Sequence, residues 1–233
     1  PKDIESEVWN GFRWGTNGAE KVFKADKSHP ISDFEKELPN YLMGADEIVF
    51  SVGKYPEIEP IVLNLWTKQI DNYSRIGRAP RAIQPPGIYL NQMRLIKSQY
   101  EIERMREAAL ISAEAHELVR FNISHKNNER QIQGLLEGFF LEKGTRGPAY
   151  NTIAAAGDNA CILHYTANNS ELKKGDLLLV DAGCSLQDYY NGDITRTFPI
   201  GGKFSAEQRA IYEIVLEAQK KALRSVVTGV SSS

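Results

Sequence analysis

Two β-like segments in the last third of the chain each carry an aspartate among apolar residues. Residues 177–180 are all apolar and lead directly into Asp181, while Asp193 precedes a segment that contains Ile194 and Phe198. A carboxylate buried without a partner is energetically costly, so carboxylates in such places are paired, hydrogen-bonded or bound to a metal. These two aspartates are therefore the first candidates for a functional site.

Two helices are predicted between residues 98 and 143. Ser98 and Glu101 have the spacing of a capping box, in which two side chains satisfy backbone amides at the start of a helix. The predicted inward face of this helix consists of Ile102, Met105, Ala109, Ala113 and His116. The second helix is predicted over 128–143, before Gly144, with an inward face of Ile132, Leu135, Leu136, Phe139 and Phe140.

The pattern becomes β-like after Gly147 and returns to helical near residue 205. The predicted strands are residues 150–156, 161–166, 176–182 and 188–199. Ser205 and Gln208 form a second capping box, which begins a helix with the apolar residues Ile211, Ile214, Val215, Ala218 and Leu223. Helices combined with strands that are joined by short turns predict an α+β layer architecture.

The first part of the chain predicts a separate domain of short elements. Residues 45–52 are strand-like, and residues 58–67 are helix-like with an early interruption at Pro60. Residues 78–87 form a turn-rich connector, because proline removes a backbone donor and disfavours helix in the residue before it. The boundary is placed there, which gives domains at 1–90 and 91–233.

Composition excludes several classes of function. The net charge is −2 and charges of both signs are mixed, so neither nucleic acid nor a membrane surface is expected as a partner. No apolar run approaches the roughly 20 residues of a membrane span, and the first residues do not resemble a signal peptide. Cys161 and Cys184 are too few for a disulfide framework, although one disulfide between them stays open. We therefore expect a cytoplasmic protein; the absence of an initiator Met predicts a piece of a longer chain.

An ordered set of motifs resembles the aminopeptidase P family of Xaa-Pro aminopeptidases. The motifs are residues 9–13, 93–98, 150–153, 161–169, 175–177, 180–184 and 192–199. They cover almost the whole chain and follow the family order. The resemblance implies a creatinase-like N-terminal domain, of which residues 1–90 are the C-terminal part. It implies that residues 91–233 are the first half of a pita-bread metallopeptidase domain.

The resemblance also implies a reaction and a set of site residues. The family removes the N-terminal residue from peptides with proline in second position, using two divalent ions, commonly manganese, bridged by water or hydroxide. Asp181 is expected to be a terminal ligand of one ion, and Asp193 to bridge both. His164 is expected to hydrogen-bond substrate or the tetrahedral intermediate without binding metal, and Tyr150 to line the substrate pocket. Hard ions favour carboxylate oxygens, and paired cations activate a shared water, so these residue types suit the chemistry.

Two features depart from the family pattern. The pattern requires a His and two Glu ligands after the second Asp, but no His follows Asp193 here. Two of the five expected ligands are therefore present, and the acidic residues that follow them are Glu207, Glu213 and Glu217. The separation of Asp181 and Asp193 is also one residue longer than the family pattern. In a strand this extra residue would turn side chains to the other face, whereas in a turn near Gln187 it would be harmless.

Several alternatives remain open at this point. The chain could be a non-catalytic truncated fragment or paralogue, with exposed strand edges that associate, or a prolidase-like dipeptidase. Asp181 and Asp193 could be a turn residue and an edge residue, and His164 and Tyr150 could pack in a core. The expected partner is a peptide with an Xaa-Pro N-terminus, and a homo-oligomer is expected from the family.

Overall fold

A computed structural model describes residues 3–231, and the chain divides into two compact units. The first unit is Pro1–Ile96 and the second is Lys97–Ser233. The predicted boundary after residue 90 would fall within a helix of the first unit, Gly87–Leu95, and stays a prediction. No helix among residues 3–231 is long and apolar enough to cross a membrane.

The first unit contains short helices and one pair of parallel strands. The strands are β1 (Ile48–Val49) and β2 (Ile83–Gln84), so the predicted strand over 45–52 forms only at its centre. Pro60 does not interrupt its helix but lies in the first turn, where a backbone N–H has no intrahelical partner to lose. The helices are α1 (Ile4–Asn10), α2 (Gly15–Phe23), α3 (Phe34–Leu42), α4 (Glu59–Asp71), α5 (Tyr73–Ile76) and α6 (Gly87–Leu95).

The second unit places helices against a three-stranded antiparallel sheet. The sheet order is β3-β4-β5, and its elements are β3 (Ile153–Ala156), β4 (Leu177–Ala182) and β5 (Ile194–Pro199). The helices are α7 (Gln99–Asn122), α8 (Glu129–Glu142) and α9 (Ala206–Ser225). Both predicted capping boxes are confirmed, at Ser98 with Glu101 and at Ser205 with Gln208.

The core lies between α7, α8 and one face of the sheet. Alternate β4 residues are buried there, as the two-residue period of a strand requires. From α8, the predicted inward residues Ile132, Leu136 and Phe140 are fully buried, and Leu135 and Phe139 pack against them. The β4 and β5 residues of this core are Leu178, Val180, Ala182 and Phe198.

The predicted inward face of α7 is largely wrong. Met105, Ala109 and Ala113 are exposed, and the helix instead buries Ala108, Ile111, Ser112, Ala115, His116 and Val119. The reason is a close approach to the sheet that only small side chains permit. A Cβ on Gly192 would lie 2.1 Å from Ser112 Oγ and 2.8 Å from Ala108 O. Helical spacing does not reveal this requirement, because it depends on a residue about 80 positions away.

The predicted strand over 161–166 does not form. Residues 157–161 make a 3-10 turn, and the following segment is irregular. The buried side chain of Asn168 occupies the edge of β3 instead: its Oδ1 accepts from Ala154 N at 3.0 Å, and its Nδ2 donates to Thr152 O at 2.7 Å. A side-chain amide thus makes the hydrogen bonds that a neighbouring strand would make. Cys161 is exposed and Cys184 is buried, and both are free thiols rather than a disulfide.

Candidate metal centre

The β4–β5 hairpin places Asp181 and Asp193 on the same face of the sheet. Asp181 pairs with Thr195, and Asp193 lies two residues before Thr195 along the chain. Residues two positions apart in a strand point to the same face, so both aspartates lie on the face of Thr195. The register is constant from the strands to the bridge between Ser185 and Asn191. The tip closes at residues 187–189, so no bulge separates the two aspartates from this register. Diagonal neighbours on one sheet face are within reach of each other's side chains.

Gly183 allows the two strands to come close together beside the aspartates. A Cβ on Gly183 would lie 1.8 Å from Gly192 O, a separation that no side chain can accept. Gly192 N donates to Cys184 O at 2.9 Å, which holds the strands at this short distance. The absence of a side chain at Gly183 therefore permits the close approach of the strands beside Asp181 and Asp193.

Tyr150 connects the two carboxylates. Its hydroxyl lies 2.5 Å from Asp181 Oδ1 and 2.9 Å from Asp193 Oδ1, so the phenol shares one proton between two acceptors. Burial raises the pKa of Tyr150 well above its ordinary value, and the hydrogen bonds to both carboxylates raise it further. Tyr150 is therefore a neutral donor. The sequence indicated pocket lining for this residue, but gave no sign that it would contact both candidate ligands.

His164 lies on the loop that follows the 157–161 turn, and its side chain is exposed. The next residue, Tyr165, packs with Ile153 and Leu179 in a small cluster. Leu179 shares the strand face of Asp181, so this loop is seated on the sheet face that carries the aspartates. No hydrogen bond joins the His164 ring to another residue in the part of the chain that the structure describes. The structure thus brings Asp181, Asp193 and Tyr150 into contact, and places His164 on the loop above the same face.

The two carboxylates have the donor chemistry of a divalent-cation site, but they do not complete one. Within residues 3–231, no group of three or more His, Cys, Asp or Glu side chains could hold a metal ion. The three later glutamates lie on α9 and are engaged elsewhere: Glu207 with Ser205, Glu213 with Arg209, and Glu217 with Lys220. Asp181 and Asp193 fit a metal as two of its ligands, and the others must come from outside the described residues.

Two buried polar residues near the sheet were not singled out as functional candidates from the sequence. Glu129, the first residue of α8, is fully buried with four hydrogen-bond donors around its carboxylate. His116 is buried on α7, its Nε2 lies 3.1 Å from Ala182 O, and burial lowers its pKa. The partners of both residues lie far away in the sequence, so the local pattern carries no signal for either contact.

Two family models match this chain. A model of metallopeptidase family M24 matches residues 103–233, which is more than half of the chain. The chain belongs to metallopeptidase family M24. A model of the aminopeptidase P N-terminal domain matches residues 1–50. The resemblance to aminopeptidase P and the expected fold, an N-terminal domain followed by part of a pita-bread domain, are confirmed.

Individual M24 relatives agree with this classification. The chain is 37% identical over 230 residues to an Xaa-Pro aminopeptidase of Escherichia coli, covering 99% of this chain and 52% of the relative. It is 39% identical over 230 residues to one of Haemophilus influenzae, covering 98% and 50%. The chain therefore spans about half the length of the curated relatives it matches.

Solved structures of M24 enzymes have the same fold. An E. coli aminopeptidase P variant in complex with substrate aligns with a TM-score of 0.87 and 37% identity, over 96% of this chain and 51% of that one. Proline aminopeptidase P II from Yersinia pestis aligns with a TM-score of 0.83 and 39% identity, over 95% and 51%. A zinc-substituted E. coli aminopeptidase P in complex with product also aligns, with a TM-score of 0.87 and 37% identity over 96% and 51%. Family M24 binds divalent metals.

Proposed function

We propose that this chain is part of an Xaa-Pro aminopeptidase, which releases the N-terminal residue from peptides with proline in second position. The observation that carries the proposal is the convergence of Asp181 and Asp193 on the hydroxyl of Tyr150. Two carboxylates held together on one sheet face, in an M24 chain, are suited to hold cations beside a peptide bond. The similarity to Xaa-Pro aminopeptidases supports the choice of substrate.

Each side chain has a distinct part in this proposal. Asp181 would serve as a terminal ligand, and Asp193 as a bridging ligand, of two divalent cations, which we propose to be manganese. Cations at this position would activate the attacking water and neutralise negative charge on the substrate. Tyr150 keeps the two carboxylates in place by hydrogen bonding, while His164 hydrogen-bonds the scissile carbonyl as negative charge develops on its oxygen.

A second candidate is a non-catalytic fragment or paralogue, and one observation favours it. The described residues do not gather three ligand side chains at any point, and two carboxylates alone cannot enclose two cations. Catalysis under the first proposal therefore requires further ligands, supplied by a continuation of the chain or by another chain. Reading the gene beyond Ser233 distinguishes the two candidates, because a continuation with one His and two Glu ligands restores the site.

Hydrolysis of a short Xaa-Pro-Xaa peptide with added manganese, by the protein together with the continuation or partner chain that supplies the further ligands, tests the proposed activity. We expect Asp193→Ala to abolish release of the N-terminal residue, because it removes the bridging carboxylate. Asp158→Ala is the matched control, since it removes an exposed carboxylate of the same unit. An Xaa-Ala-Xaa peptide tests the requirement for proline. Hydrolysis of the dipeptide Xaa-Pro in preference to the longer peptide would instead identify a prolidase-like dipeptidase.

The setting of the enzyme is part of the same proposal. We propose a cytoplasmic homo-oligomer that takes peptide substrates and has no nucleic-acid or membrane partner. The mixed surface charge and the net charge of −2 support the absence of a nucleic-acid partner. Light scattering of the purified protein and fractionation of the producing cells measure the oligomeric state and the location.

A further inference from the structure

The Glu129 carboxylate is buried at the beginning of α8 and accepts four hydrogen bonds. Its Oε1 accepts from Ala156 N at 2.8 Å and from Asn159 Nδ2 at 2.9 Å. Its Oε2 accepts from Tyr165 Oη at 2.7 Å and from Ser170 N at 2.9 Å. The side chain is fully buried. Every donor therefore comes from residues 156–170, and none comes from the helix that carries Glu129.

Glu129 is a charged group that these donors satisfy without a cation. Burial raises the pKa of the Glu129 carboxyl. The hydrogen bonds from Asn159, Ala156, Ser170 and Tyr165 together lower it by more than burial raises it, so the pKa lies below its ordinary value. No salt bridge to Glu129 occurs among residues 3–231. The hydrogen bonds to a buried, ionised carboxylate are charge-assisted and strong. Losing any one of the donors leaves part of the buried charge unsatisfied, so the carboxylate and its donors are held firmly together.

The four donors lie on both sides of His164 in the sequence. Ala156 and Asn159 precede it, and Tyr165 and Ser170 follow it. Asn159 Nδ2 also lies 3.0 Å from Tyr165 Oη and 2.9 Å from Ser170 Oγ, which ties the two ends of the segment to each other. The backbone N–H of Glu129 donates to Ser170 O at 3.0 Å. One carboxylate thus closes a loop whose exposed middle contains His164.

We propose that Glu129 is a positioning residue that fixes the His164 loop over the sheet face of Asp181 and Asp193. The contact of Tyr165 with Ile153 and Leu179 sets the loop on that face, and the Tyr165 hydroxyl donates a hydrogen bond to the Glu129 carboxylate. Without the carboxylate, the segment loses its common acceptor, and the loop that carries His164 is free to leave the face. The relevance to catalysis rests on the proposed role of His164, whereas the anchoring itself does not.

Nuclear magnetic resonance of the histidine ring protons tests the anchoring in this chain. Glu129→Gln keeps the shape of the side chain but turns an amide donor toward two of the four donors. We expect the His164 ring signal, assigned with His164→Ala, to move to the position of a histidine in an unstructured peptide. His125 is also exposed but lies outside the loop, so its signal should not move. Amide exchange over 157–170 should accelerate by about tenfold or more, with α7 and β4 unchanged.

Two further variants keep the test decisive. Glu137→Gln removes a carboxylate of the same helix that accepts from Thr152 Oγ1 at 2.9 Å, and it should leave the His164 signal in place. Tyr165→Phe removes one donor with little change in shape, and it should move the signal in the same direction by a smaller amount. An unchanged His164 signal and unchanged exchange over 157–170 in folded Tyr165→Phe and Glu129→Gln chains would overturn the proposal. If Glu129→Gln does not fold, Tyr165→Phe decides alone.

The outcome is independent of the proposed function. Movement of the His164 signal, with no Xaa-Pro hydrolysis by the protein once its further ligands are supplied, would support the anchoring and contradict the proposed activity. Hydrolysis by the protein with its further ligands supplied, together with an unmoved His164 signal in the variants, would support the activity and contradict the anchoring.

Discussion

Replacing Gly183 by alanine should force apart the strands that carry the two aspartates. The added Cβ would lie 1.8 Å from Gly192 O, and real Cβ contacts essentially never fall below 3.0 Å. The strands must therefore separate locally by about 1.2 Å or twist by an equivalent amount. The neighbouring hydrogen bonds are Gly192 N to Cys184 O at 2.9 Å and Ala149 N to Gly183 O at 2.8 Å. The bond from Gly192 N to Cys184 O does not survive a displacement of that size.

The magnitude follows from these losses. A buried backbone group left without its partner costs about 1–3 kcal/mol, and forced overpacking costs about 1–3 kcal/mol as well. We expect Gly183→Ala to lower the free energy of unfolding of the second unit by about 3–5 kcal/mol. That is a large part of the roughly 5–15 kcal/mol typical of a domain. The same displacement should separate Asp181 from Asp193, so manganese binding by the aspartate pair should also weaken.

Urea unfolding with two probes measures this effect unit by unit. The three Trp residues all lie in the first unit, so Trp fluorescence reports its unfolding, whereas far-UV circular dichroism reports both units. Gly183→Ala should shift the dichroism transition to lower urea and leave the fluorescence transition unchanged. Gly134→Ala is the control, because nothing lies within 4 Å of its added Cβ in α8, and it should stabilise by about 0.5–1 kcal/mol. Equal stabilities of Gly183→Ala and the parent would refute the steric argument.

Three further predictions follow from the contacts of the second unit. Tyr150→Phe removes the donor shared by Asp181 and Asp193, and should weaken manganese binding about tenfold in calorimetric titration; unchanged affinity would remove Tyr150 from the site. Because the folded-state pKa of Glu129 lies below its ordinary 4.5, its stabilisation is complete above that pH and is lost as the pH falls through the lowered value. Acid unfolding of Glu129→Gln should therefore lack this component, and identical pH dependence in both chains would contradict the assignment. The apolar side chains of α9, with none of the helix buried, should make the chain associate with rising concentration, and light scattering should show less association in Ile211→Lys; a monodisperse parent monomer would contradict this.

Local signals explain most of what could be predicted from the sequence. The capping boxes at Ser98 and Ser205 need only residues within one helical turn, so both helix starts are visible in the sequence. The inward face of α8 is equally visible, since large apolar side chains recur there at helical spacing. The strand that carries Asp181 is visible in the sequence because the unbroken apolar run at residues 177–180 precedes it.

Contacts between distant residues explain what could not be predicted. The inward face of α7 is set by the close approach of Gly192, which favours Ala108 and Ser112 over the larger Met105. The segment 161–166 has the composition of a strand, yet Asn168 occupies the edge where that strand would pair. Such arrangements depend on side-chain placement in three dimensions, which neither periodicity nor propensity records.

The candidate site divides in the same way. The aspartates and His164 are visible as motif residues, because they stand in order within a family pattern. The bonds from Tyr150 to both carboxylates and from the four donors to Glu129 join residues that are between 27 and 43 positions apart in the sequence. No short pattern marks them, so the geometry that would make the motif residues useful is supplied by the fold alone.

Manganese binding by the aspartate pair tests the central claim most directly. Electron paramagnetic resonance of free Mn²⁺ during titration compares the parent chain with Asp181→Asn, Asp193→Asn and the exposed control Asp158→Asn. The account predicts weak binding by the parent and by Asp158→Asn, and its loss in both of the other variants, because the two carboxylates act as one site. Binding that survives in either Asp181→Asn or Asp193→Asn at the parent's affinity would contradict it.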